Sequence, residues 1–149
     1  VAEQLRTEYP NIQILPLSAD YTKPFDLPKS SPDARKVVFY PGSTIGNFKM
    51  EKVQQFLKVI HDIIGKDGAF LIGVDLKKDI EMHLFVKEDH SVTVDDKVID
   101  FIKGESIHTE NSHKYSLNEF ADMVSNWFDV KKVWTDEKDF FSLQYLEPK

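Results

Sequence analysis

Two hydrophobic periods alternate along the first half of the chain. "RKVVFY" and "AFLIGVD" are unbroken apolar runs, the pattern of strands buried on both faces. Between them Val53, Phe56, Leu57, Ile60 and Ile64 recur at helical spacing, which predicts a helix over about residues 50–64 with one apolar stripe. Gly65 suits its C-terminus, and "KDG" makes the turn that follows. Upstream, residues 1–9 read as a helix that stops before Pro10. "NIQILPLSAD" carries Ile12, Ile14 and Leu17 and is expected to form a strand ending near Asp20. The Pro- and Ser-rich stretch after it reads as loop. Residues 10–75 therefore read strand, loop, strand, helix, strand, which implies parallel strands joined by a crossover helix.

The period changes after residue 79. In "IEMHLFVK" Ile80, Met82, Leu84 and Val86 alternate onto one face. "SVTV", "KVIDFI" and "SIHTE" follow, separated by short polar turns, and the expected arrangement is an antiparallel meander. "SLNEFADMVSNWF" then reads as a helix, with Ser116 and Glu119 at capping-box spacing. Two strands, "VKKVWTD" and "FFSLQYLE", close the chain.

Composition narrows the picture modestly. A length of 149 residues with 41% hydrophobic content is enough for a sizeable core. A net charge of −6 argues against a nucleic-acid backbone as partner. The absence of cysteine removes disulfides, thiolate metal sites and cysteine nucleophiles, and fits a reducing cytoplasm. No apolar run reaches transmembrane length, and no membrane partner is expected. Since "VAEQLRTEYP" reads as the back half of a helix, the chain is expected to begin inside a larger protein.

In a chain that is 30% charged, "YPGSTIGNF" (Tyr40–Phe48) carries no charge at all. Gly42 and Gly46 would let the backbone take positive φ or approach a ligand closely. Asn47 could cap the next helix or bond a ligand. The stretch lacks the lysine of a P-loop and does not match a dinucleotide fingerprint. In open α/β sheets ligands bind beyond the carboxyl ends of the strands. Asp20-Tyr21, Tyr40 to Asn47 and Asp75 would project there, although an acid at such a place is also an ordinary turn residue. A second polar cluster, "IHTENSHKYS", places Glu110 beside Ser112, a pairing that suits an imidazole or an amine, or merely an exposed loop. His61, His83, His90, His108 and His113 have no metal-ligand spacing, and no metal site is expected.

"FYPGSTIGNF", "LIGVDLKKD", "IEMHL", "IHTENSHKYS" and "WTD…FFSLQYL" occur in this order. Together they resemble the S-adenosylmethionine (SAM)-dependent histidine-specific methyltransferases, from about Ala2 to Leu146. The resemblance implies an α/β, class I methyltransferase Rossmann-like sheet, partial because its first strands are missing, with an antiparallel β-rich portion of a substrate domain. On that reading residues 1–79 are the C-terminal part of the cofactor-binding core. Residues 80–115 are a remnant of the inserted substrate domain, and 116–149 are the last helix and closing hairpin.

The implied activity is trimethylation of the α-amino group of L-histidine to hercynine, on the route to ergothioneine. S-adenosyl-L-methionine is the implied cofactor. Apart from the resemblance, a cytoplasmic protein is expected, and a monomer is the expected state, with nothing in the sequence that fixes it. Asp20 and Tyr21 would hold the adenine. Gly42 and Asn47 would form the floor of the shared site. Glu110 and Ser112 would recognise the imidazole, and Met82 would lie beside it. No catalytic base is assigned.

The sequence departs from the family at two places. No glycine-rich cofactor loop or ribose-binding acid is found in it. Asp79 also runs straight into Ile80, where family members carry a long segment of the substrate domain, including a tyrosine that contacts histidine. Two alternatives remain open: methylation of another amine, such as a tryptophan derivative, or a catalytically inactive binding module.

Overall fold

The computed structural model describes residues 1–28, 34–76, 84–107 and 112–149. Helix α1 (Ala2–Glu8) opens the chain, and strand β1 (Val37–Tyr40) leads into a single 3-10 turn at Thr44–Asn47. Helix α2 (Met50–Ile64) crosses to β2 (Ala69–Asp75). Short strands β3 (Leu84–Phe85), β4 (His90–Val94), β5 (Lys97–Phe101) and β6 (Ser106–Ile107) precede α3 (Leu117–Val124). Strands β7 (Phe128–Thr135) and β8 (Phe141–Pro148) finish it.

Four strands make one mixed sheet in the order β1-β2-β8-β7. Strands β1 and β2 are parallel, with α2 as the expected crossover. Strand β8 inserts antiparallel between β2 and β7. The unbroken apolar run of β2 has its cause in this placement: the strand is paired on both edges and buries Phe70, Ile72 and Val74 under the helices. Val53, Phe56, Leu57, Ile60 and Ile64 of α2, with Phe120 and Val124 of α3, cover that face. Each such side chain, fully buried, contributes roughly 1.5–3 kcal/mol. Two polar residues share this buried face of β8. Gln144 Nε2 donates to Ser142 Oγ (3.0 Å), which donates to the Val74 carbonyl (3.3 Å). The expectation of burial on both faces fails for β1, which among the described residues pairs only with β2 and leaves Val37 and Phe39 exposed.

The helix ends follow the sequence signals. Gly65 closes α2 with φ 68°, and its N–H donates to the His61 carbonyl. Ser116 and Glu119 form the full capping box that starts α3.

Three further expectations need correction. Residues 10–20 form no strand, and Ile12, Leu15 and Leu17 are half exposed. No neighbouring strand pairs with them among the described residues, Pro16 lacks an N–H, and the Arg6 guanidinium occupies the Ile14 carbonyl at 2.9 and 3.0 Å. The second half is a nested arrangement rather than a meander: β4 pairs with β5, and β3 pairs with β6 outside them. Finally, α3 ends at Val124, because Phe128 already belongs to β7.

Candidate functional site

Parallel strand β1 ends at Tyr40, opposite Ile72, and the uncharged loop leaves from there while β2 runs on to Asp75 beside it. The loop's left-handed residue is Ser43 (φ 54°, ψ 15°), whereas neither Gly42 nor Gly46 has positive φ. A serine in this conformation is mildly strained. Its hydroxyl offsets this by accepting the Asp75 N–H at 2.8 Å, which ties the loop to the end of β2.

The two glycines do different work. A Cβ on Gly46 would lie 2.5 Å from the His113 carbonyl oxygen, so Gly46 is there for close approach. The His113 N–H donates back to the Gly46 carbonyl at 2.9 Å. A Cβ on Gly42 would meet nothing nearer than Thr44 Oγ1 at 3.5 Å, an ordinary contact on an exposed backbone. A third glycine matters that the sequence did not single out. A Cβ on Gly73 would lie 2.1 Å from the Pro41 carbonyl oxygen, because the loop folds back over β2.

Residues 112–115 are stitched to the same place. Besides the His113–Gly46 bond, the Tyr115 N–H donates to the Asp75 carbonyl at 3.3 Å, and the Lys114 ammonium pairs with the Asp75 carboxylate. The structure thus brings together Gly42, Asn47, Asp75 and the segment that begins at Ser112. Asn47 is exposed and does not cap α2, whose N-cap is Lys49. The side chains of Asn47 and half-buried Ser112 make no hydrogen bond among the described residues. Met82 and Glu110 lie outside the described residues, as do Asp79 and Ile80.

Asp20 and Tyr21 are placed differently from each other. Tyr21 packs its ring against Tyr40 at the end of β1 (centroids 5.8 Å apart), and against Phe48 (6.4 Å) and Phe56 (6.2 Å), while staying 41% exposed. Asp20 is turned into its own loop. One carboxylate oxygen accepts the Thr22 hydroxyl (2.6 Å) and N–H (3.0 Å), and the other pairs with Lys23 (3.1 Å). The Thr22 bonds first, then Lys23, lower its pKa to about 2.

Two tyrosine hydroxyls near this end of the sheet, those of Tyr40 and Tyr115, are buried without a hydrogen-bond partner among the described residues. Burial raises the pKa of both, with the Tyr21 hydroxyl adding to the shift at Tyr40 and Thr44 opposing it. No group of His, Asp and Glu that could hold a metal exists among the described residues. His61 is structural, packed on Trp127 and Phe128.

Sequence reasoning missed Gly73 and Lys114 and left Asp75 as a generic strand-end acid. The "GVD" run ending β2 was the available signal for two of them. Nothing in sequence spacing connects Lys114 to Asp75, 39 residues earlier.

A family model described as "Histidine-specific methyltransferase, SAM-dependent" matches the chain in two stretches, residues 1–81 and 77–148. They meet at the point where the sequence reading placed a missing segment. Among solved structures, the PH0226 protein from Pyrococcus horikoshii OT3 superposes with a TM-score of 0.58 at 12% identity, covering 99% of this chain and 65% of that one. The CcbJ methyltransferase from Streptomyces caelestis gives 0.59 at 11% identity over 99% and 75%. The 1,6-didemethyltoxoflavin-N1-methyltransferase from Burkholderia thailandensis, solved with S-adenosylhomocysteine, gives 0.54 at 10% identity over 89% and 50%. At these identities the likeness is one of fold, and the chain spans less than two-thirds of the Pyrococcus protein. No curated protein matches.

Proposed function

Since the chain belongs to the SAM-dependent histidine-specific methyltransferase family, we propose that the whole protein methylates the α-amino group of L-histidine to give hercynine. The observation that carries this reading is the junction of the uncharged loop with residues 112–115 at the carboxyl end of β1 and β2. That junction places the loop proposed to meet donor and amine against the segment proposed to recognise the imidazole. On this reading the partner is a small amino acid, not nucleic acid or membrane. No described helix is long and apolar enough to cross a membrane. A cytoplasmic monomer is the form proposed.

The residues present fit the cofactor. The Tyr21 ring is partly exposed at the end of β1 and available for stacking, Gly42 is exposed, and the Asn47 amide makes no hydrogen bond among the described residues. Asp20 would accept the adenine amine through the lone pairs its turn leaves over. When bound, SAM supplies an electrophilic methyl group on a sulfonium. The protein's part is orientation: holding the amine in line is worth several orders of magnitude in rate. Asn47 would bond the amino acid's polar end, Glu110 and Ser112 would fix the ring, and Met82 would pack beside it. No residue is assigned as base for the ammonium proton.

The test is mass spectrometry of L-histidine incubated with the whole protein and SAM. Additions of one, two and three methyl groups are expected. Methylation of a tryptophan derivative instead would move the assignment to the rival amine, and no transfer to any amine would favour an inactive binding module. Glu110→Ala is expected to raise the KM for histidine sharply, and an unchanged KM would refute the imidazole role. The 149 residues alone, without a glycine-rich cofactor loop, are proposed to bind SAM weakly, and micromolar affinity by calorimetry would refute that part.

A further inference from the structure

We propose that Asp75 and Lys114 form a latch that positions the substrate-recognition segment on the uncharged loop, with Gly46 as its landing point. The inference rests on the functional reading above for the meaning of the segment, but its geometry is independent of that reading. Asp75 is the hub. Its N–H goes to Ser43 Oγ, its carbonyl accepts the Tyr115 N–H, and its carboxylate pairs with Lys114. One residue at the tip of β2 thus binds the loop with its backbone donor, and the recognition segment with its backbone acceptor and its side chain. Gly46 completes the circuit, since only a residue without Cβ lets the His113 backbone come within bonding distance.

The consequence is a mechanical coupling. Ser112 stands two residues before Lys114 and one before His113, so its position is dictated by two consecutive anchored residues. Without the ion pair the segment keeps, among the described residues, its two backbone bonds, one of them long, and the buried Tyr115 ring as its anchors. Side-chain exposures of 26% for Lys114 and 38% for Asp75 mean that solvent screens the pair partly. Its role is therefore register rather than bulk stability. Asp75 and Lys114 are positioning residues, acting on substrate through Ser112 and the loop.

The experiment uses the 149-residue chain with amide hydrogen exchange and an NMR titration with L-histidine. Asp75→Asn and Lys114→Met are each expected to speed exchange at the His113 and Tyr115 amides at least tenfold. Each is also expected to weaken the histidine response of residues 112–114 at least fivefold. Lys114→Arg should keep both, and the swapped variant Asp75→Lys with Lys114→Asp should recover most of the exchange protection. Melting temperatures identify any variant that has merely unfolded, and the arginine and swapped variants then carry the test. Unchanged exchange in both single variants overturns the latch. Faster exchange with an unchanged histidine response overturns its positioning role. If the wild-type chain shows no histidine response, the substrate reading fails for this chain, and exchange alone decides the latch.

Discussion

Gly73→Ala adds one carbon at the point where the loop crosses β2. That carbon would sit 2.1 Å from the Pro41 carbonyl oxygen, 2.7 Å from the Pro41 carbonyl carbon and 2.5 Å from the tip of the Phe141 ring. Ordinary contact begins at 3.4 Å, so the Pro41 backbone must retreat by about 1.3 Å or β2 must bend. The ring can swing; the backbone cannot yield without disturbing β1, whose last residue, Tyr40, pairs with Ile72. Overpacking of this kind costs about 1–3 kcal/mol. The unfolded chain loses freedom with alanine, which offsets about 0.4–1 kcal/mol of that. A net loss of about 1–2 kcal/mol corresponds to a melting temperature lower by roughly 2–8 °C for a domain of this size. Gly42→Ala is the matched control: it lies in the same loop, with its nearest neighbour at an ordinary 3.5 Å. Thermal unfolding followed by circular dichroism is the assay. Gly73→Ala melting within 1 °C of the unchanged protein would refute the close-approach argument. So would equal losses from both substitutions.

Tyr115→Phe removes a buried hydroxyl without a partner among the described residues, whose burial costs about 1–3 kcal/mol. The variant is expected to melt at the same temperature or a few degrees higher, and a clear loss would show that the hydroxyl is bonded. Ser116→Ala deletes the capping box of α3 and is expected to cost about 0.5–2 kcal/mol in a denaturant titration. The Asp136 carboxylate accepts the Phe141, Phe140 and Lys138 N–H groups, which holds its pKa below the ordinary 3.8. Its stabilising effect is therefore complete above about pH 4 and lost as pH falls through the lowered value. Asp136→Ala should show a shallower loss of melting temperature over that acid range, and an unchanged slope would refute the assignment. Gly42→Asp, which puts a carboxylate into the uncharged loop, is expected to impair methyl transfer by the whole protein, and normal turnover would refute the charge argument.

The parts of the fold that were legible in sequence are those whose signal is local. Stripe, cap and C-terminal glycine all lie within α2 and α3, and β1 and β2 declared themselves by unbroken apolar runs. "NIQILPLSAD" misled because its apolar residues describe what a strand would bury, not whether a neighbour exists to pair with it. At the site, the uncharged loop stood out by composition. Of the two roles open to its glycines, positive φ falls to Ser43 instead, and Gly46 serves a close approach, to the His113 backbone. The Asp75–Lys114 pair could not be read from spacing at all. It exists because residues 112–115 return to the tip of β2 after the whole antiparallel excursion.

That return also changes the meaning of the loop's neutrality. The loop is uncharged, but its immediate surroundings are not: Asp75 stands at the end of β2, its N–H bonded to Ser43 Oγ and its carboxylate paired with Lys114. Left alone, that carboxylate would attract a cationic donor and hold an ammonium in its protonated, non-nucleophilic form. Lys114 cancels it in place. On the proposed function, an uncharged loop beside a self-neutralised pair adds little net charge of its own to a transfer that would begin with a sulfonium and an amine and end with a neutral thioether and a cation. Such a site would favour neither side of the transfer by charge and would leave selection to shape and orientation. On this view the nine uncharged residues and the ion pair are one design, and the pair is what allows a strand-end acid so close to the loop.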